Sequence, residues 1–183
     1  MKANRSIVMF SVALTVISAL ATVFDATSIG DISDGSFWTG LGYSGAPGAG
    51  DTVKLNARAT NPTFTASADM SILDIMFNIS GSYIDLSANN PTIRINQAAD
   101  RRGMEFVAKS AGYRVTGGTW YFVNKAHLYC GQCGTSSYNN HSIEFNGTVV
   151  TNVGRFYGSY YDRNTQVTLS NGTRVYADNL YAV

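Results

Sequence analysis

Five short segments of the chain read apolar–polar–apolar: Val53-Lys54-Leu55, Ile84-Asp85-Leu86, Tyr113-Arg114-Val115, Ile143-Glu144-Phe145 and Val167-Thr168-Leu169. A period of two is the signature of a strand with one buried face. Each is followed by a turn phrase: Asn61-Pro62-Thr63, Asn90-Pro91-Thr92, Gly117-Gly118-Thr119, Asn146-Gly147-Thr148 and Asn171-Gly172-Thr173. Asn, Gly and Pro adopt or preset the backbone angles of a tight corner. The phrases begin 29, 27, 29 and 25 residues apart, and that near-constant spacing marks a repeat. A second strand follows each turn: Phe64-Thr65-Ala66, Ile93-Arg94-Ile95, Trp120-Tyr121-Phe122, then Val149-Val150 and a shifted copy at Val175. A third apolar segment recurs at 70–77, 104–107, 126–129, 156–157 and 180–181. Three strands per repeat, with no amphipathic helix, predict an all-β chain wound as a parallel β-helix of about five coils. The competing all-β solution is a β-sandwich or jelly roll, whose strands also fall at short regular spacing.

The outward residues of the first strand test this phasing. In coil order they are Lys54, Asp85, Arg114, Glu144 and Thr168, so the signs alternate until the last. Stacked coils lie about 4.8 Å apart, and opposite charges in adjacent coils favour that register.

The first residues follow a different pattern. Lys2 and Arg5 precede an apolar run, 7–21, that ends in Ala19-Leu20-Ala21. A positive head, an apolar middle and a small-x-small exit make a secretory signal peptide cleaved after Ala21. The run is at the short end for a bilayer span. The expected organisation is therefore signal peptide 1–21, an N-terminal lead-in 22–45 and the β-helix domain 46–183. The destination is the cell surface or the medium, with no stable membrane insertion once the signal is removed. Removing Lys2 and Arg5 leaves eleven basic against twelve acidic residues, a net charge of −1. A chain so close to neutral, with no basic run, offers no electrostatic footprint for nucleic acid.

Together these features resemble the right-handed parallel β-helix proteins with a pectin-lyase-like fold, a group of exported adhesin passengers, polysaccharide lyases and glycoside hydrolases. The resemblance runs from about Gly35 to the end. Asp34-Gly35-Ser36-Phe37-Trp38, followed by the segment 48–55, looks like the approach to a first coil in such proteins. It implies either glycan or protein contact at a cell surface or cleavage of a polysaccharide. Cleavage needs paired carboxylates, or a base beside a group that stabilises negative charge. The chain has only two Glu, Glu105 and Glu144, and ten scattered Asp. It lacks the Gly-His-Gly and Asp-Asp phrases of the pectin hydrolases and the Arg-x-Pro-x-x-Arg phrase of the pectate lyases. No catalytic residue is assigned, and the expectation is a non-catalytic attachment or scaffold protein. Were it an enzyme, its site would draw on Lys54, Asp85, Arg94 and Arg114.

One cluster carries its own chemistry. The only two His and only two Cys are His127, Cys130, Cys133 and His141. Four such ligands can close a tetrahedral zinc site, so zinc is the one cofactor considered. In an oxidising compartment Cys130 and Cys133 can instead form a small disulfide loop. A redox pair would need a helix N-terminus to activate the first thiol, and none is predicted. The polar stretch 134–140 makes the longest loop, and nine of the eleven Tyr lie from Tyr113 onward. Loops on one side of a solenoid tend to carry binding, so Tyr138, Tyr160 and Tyr161 are the expected ligand contacts, for a polysaccharide or a cell-surface protein. Four Asn-x-Ser/Thr sequons occur in the chain after residue 21, two of them within the turn phrases. The last coil carries no polar cap of its own, which leaves end-to-end self-association, and with it a filament subunit, as a further expectation.

Overall fold

A computed structural model describes residues 21–79, 81–107, 112–131, 140–158 and 164–181. Every strand pair in it is parallel, which excludes the sandwich and jelly roll. The chain winds as a right-handed β-helix of about six turns, one more than the repeat count implies. Three faces run along its axis. The first holds β3 (Thr63–Thr65), β6 (Tyr83–Asp85), β9 (Gly112–Thr116), β12 (Asn140–Asn146) and β14 (Asn164–Ser170). The second holds β4 (Met70–Ile72), β7 (Thr92–Ile95), β10 (Thr119–Phe122) and the starts of β13 (Val149–Tyr157) and β15 (Arg174–Tyr181). The third holds β1 (Val23–Ala26), β2 (Thr52–Leu55), β5 (Asp74–Phe77), β8 (Arg102–Phe106) and β11 (His127–Tyr129), then the ends of β13 and β15. These last two strands turn the corner unbroken and join the second and third faces into one sheet.

Register puts like on like. Phe64, Ile84, Val115, Phe145 and Leu169 form one inward column. Met70, Ile93, Trp120, Val150 and Val175 form a second. The third runs Phe24, Val53, Ile75, Met104, Leu128, Phe156 and Leu180. Each column is buried until its last member: Leu169 is 52% and Leu180 70% exposed. The opposite end is sealed. Asp34 caps a short helix, α1 (Gly35–Gly40), by accepting from the Ser36 N–H, and α1 carries Trp38 into the core. Trp38 packs on Phe24, Phe37 and Tyr43 and donates its indole N–H to the Ile32 carbonyl. The sequence predicts no helix here because six residues are too few to display a 3.6 period.

Four of the five turn phrases stand at the corner between first and second faces. Gly117 and Gly118 (φ 65° and 68°) and Asn171 and Gly172 (φ 52° and 77°) supply its left-handed geometry. Thr148 and Thr173 close it from inside, their hydroxyls donating to the Val115 and Phe145 carbonyls. The first phrase does not belong to the set. Asn61-Pro62 lies between β2 and β3, at the corner of the third and first faces. Asn61 and Asn90 have nearly the same φ, 48° and 46°, so turn chemistry marks a corner without saying which one. The first coil is therefore phased one face out. Lys54 sits on the third face between Asp25 and Met76, and Asp85 aligns with Thr116. The segment 70–77 is two strands on two faces, β4 and β5. Of the alternating charges, only the Arg114–Glu144 contact forms, at 2.8 Å, with Tyr83 under the Arg114 guanidinium.

Core and surface should therefore respond differently. Phe106 is fully buried and stacked on Phe77 at 4.5 Å, so Phe106→Ala is expected to destabilise by about 3–5 kcal/mol. Glu144→Gln, at a half-exposed pair, should cost less than about 1 kcal/mol. Urea unfolding of the two variants measures the difference, and similar midpoints would mean the columns are not the core.

Candidate functional site

The outward residues of the third face change character along the axis. Asp25, Lys54, Met76 and Glu105 are followed by Tyr129, Tyr157 and Tyr181. The three rings stack, with centroids 4.6 and 4.8 Å apart, at the rung spacing itself. Guanidinium groups flank the stack: Arg102 lies 5.4 Å over Tyr129 and Arg155 5.9 Å over Tyr181. Arg155 also donates to the Tyr157 hydroxyl.

A polar cleft of about 410 Å³ opens where the corner segment 96–101 overhangs this face. Asp74, Gln97, Asp100, Arg101, Arg102, Glu105 and Tyr129 line it. Gln97 donates to Asp74 at 2.9 Å, and Arg102 reaches Glu105 at 3.3 Å. Asp100 takes a positive φ of 62° to turn the chain into β8. Glu105 is 9% exposed, and burial pushes its carboxyl above the usual range against the pull of Arg102. A carboxyl whose proton affinity is raised beside donors and acceptors is suited to polyhydroxyl recognition and to general acid chemistry.

His127 forms the floor of a neighbouring depression of about 230 Å³, which shares Asp100 with the cleft. The register shifts between His127 and Leu128, where β8 advances from Arg102 to Met104 against one step of β11, and His127, Leu128 and Tyr129 are all buried. Burial and then Arg155 hold the imidazole pKa below its usual value, while Asp100, 3.6 Å away, pulls it upward. His127 is accordingly neutral at pH 7. Gly154 must stay small, since a Cβ there would collide with the Lys125 carbonyl oxygen.

The Cys/His cluster of the sequence does not gather in space as far as it is described. His127 is on the third face. His141 is on the first, 2% exposed and stacked on Tyr113 at 6.0 Å. Cys130 follows β11, fully buried with a free thiol, and burial pushes its pKa far up. Cys133 lies outside the described residues, and with it half of the disulfide and zinc readings. Among the described residues no group of three or more His, Cys, Asp or Glu is placed to hold a metal. Tyr138, Tyr160 and Tyr161 also lie outside the described residues, as does the segment 1–20. Lys54, Asp85, Arg94 and Arg114 are dispersed over three faces.

Sequence reasoning missed Asp74, Arg102, Glu105 and Arg155. The signal was present: with the third segment aligned, Glu105, Tyr129, Tyr157 and Tyr181 fall at one outward position. No protein-family model, curated protein or solved structure matches the chain. The fold, a right-handed parallel β-helix, rests on its own register.

The raised Glu105 pKa has a definite sign. The folded state holds this proton more tightly than the unfolded one, so the stabilisation is present at low pH and fades as pH rises through the folded value. Glu105→Gln, a neutral mimic, should gain stability relative to wild type between pH ~4 and ~7. Urea midpoints across that range test it; a difference that does not grow with pH would contradict the burial effect.

Proposed function

We propose that this β-helix is an exported surface-attachment or scaffold protein that contacts glycan, of the adhesin-passenger kind within the pectin-lyase-like fold. The observation that carries this is the cleft at Asp74, Gln97, Asp100, Arg101, Arg102 and Glu105. It is mainly polar and brings carboxylates together with guanidinium and amide donors. Such a lining matches a sugar, whose hydroxyls both donate and accept. The signal-peptide pattern at 1–21 supports export, and an N-terminus at Thr22 in secreted protein would verify it.

A second reading is favoured by Glu105 alone. A buried carboxyl with a raised pKa, sharing its cleft with Asp74 and Asp100, has the makings of a glycosidase acid with a carboxylate partner. Incubation with acidic and neutral polysaccharides, followed by mass spectrometry, separates the two. The attachment reading expects intact polymers that bind, with Arg102→Gln weakening binding by roughly tenfold through loss of a charged donor. New oligosaccharides that vanish with Glu105→Gln would replace attachment by hydrolysis. No binding and no products would end both readings.

A further inference from the structure

We infer that the second face carries a separate site for one neutral pyranose ring, a slot between Tyr121 and Tyr176. This deepens the glycan reading and rests on it, but at residues that reading does not use.

Successive outward positions on this face are Arg94, Tyr121 and Thr151. Val150 then pairs with Val175 and Val153 with Ala177, so Thr151 and Asn152 together stand opposite Tyr176. The arrangement is the tyrosine ladder of the third face with its middle ring missing. There, Tyr129, Tyr157 and Tyr181 fill three consecutive rungs. Here a small Thr151 leaves the middle rung empty, and Tyr121, Thr151 and Tyr176 line a groove of about 610 Å³.

The dimensions admit one ring. Two rung steps come to roughly 9.6 Å. Two carbon contacts of ~3.5–4.0 Å account for roughly 7–8 Å, which leaves height for a single ring, as Tyr157 fills the corresponding rung between Tyr129 and Tyr181. One side of Tyr121 is already covered by Arg94, whose guanidinium lies 5.6 Å from the ring centroid. That contact fixes the ring and leaves its other side to the slot. Tyr176 is 54% exposed, apolar area with no covering among the described residues.

The polar rim completes the choice. Asp178, held by Lys125 at 2.9 Å, is the one charged side chain among the described residues lining the groove. A carboxylate accepts from sugar hydroxyls and repels a uronate. The Asn152 amide is committed to the Phe122 carbonyl, which anchors the bulge. The fitting ligand is therefore a neutral hexopyranoside, its C–H faces on the two rings and its hydroxyls toward Thr151 and Asp178.

The test titrates the full chain with hexasaccharides of β-1,4-glucose and of β-1,4-N-acetylglucosamine, read by calorimetry and saturation-transfer NMR. Tyr121→Ala and Tyr176→Ala should each weaken binding by roughly tenfold. Thr151→Tyr should restore the missing ring, keep or raise the urea midpoint and abolish binding at the slot. A folded Thr151→Tyr variant that binds as wild type overturns the slot. Loss of binding in Arg102→Gln, with the three slot variants silent, overturns it too and leaves the cleft standing. The reverse pattern keeps the slot and removes the cleft. Failure of both hexasaccharides to bind wild type overturns the slot, while the polysaccharide panel still decides the cleft.

Discussion

The rest of the structure depends on one constraint: each side chain must share a column with the residue one turn before and one turn after it. Backbone hydrogen bonds between parallel strands fix that neighbour, and the rung spacing fixes its distance. Inside, the constraint produces apolar columns such as Phe64–Ile84–Val115–Phe145. Outside, it produces cross-rung pairs. Arg over Tyr recurs on all three faces, at Arg114–Tyr83, Arg94–Tyr121 and Arg102–Tyr129. These pairs combine a cation–π contact with burial of the guanidinium stem. They also leave the rings in fixed positions, which a recognition surface requires.

The same constraint explains what was legible in the sequence. Spacing alone places the corners at Asn90, Gly117, Asn146 and Asn171, and the strands on either side of them. The first coil misled, because Asn61 adopts the same left-handed conformation as Asn90 at a different corner. A turn residue reports local backbone geometry and carries no information about the face that follows. The helix at 35–40 was hidden for a related reason: its only buried residue is Trp38, and one residue makes no period. The cleft was less legible than the fold. Glu105, Arg102 and Gln97 meet within one turn, but Asp74 and Tyr129 come from the neighbouring turns. Their convergence depends on the overhang of 96–101, whose length obeys no repeat.

The chemistry follows from where the columns are interrupted. Opposite His127 the register of β8 slips by one residue, and burial lowers the proton affinity of the imidazole. At Thr151–Asn152 a second irregularity accompanies the missing ring of the second face. Uninterrupted columns give a smooth wall. The irregular rungs are where cavities appear.

Finally, the two ends of the winding are unequal. In a linear array each rung is stabilised only by its neighbours, so unfolding starts where a rung has one neighbour instead of two. Trp38 and its aromatic partners supply a substitute neighbour at one end. The last described rung, with Leu169 and Leu180 exposed, has none among the described residues. A rung covered on one side exchanges its amide protons through fraying, and one covered on both sides only through opening of the array. Among the described residues, the slot at Tyr176 therefore stands on the rung with a neighbour on one side only.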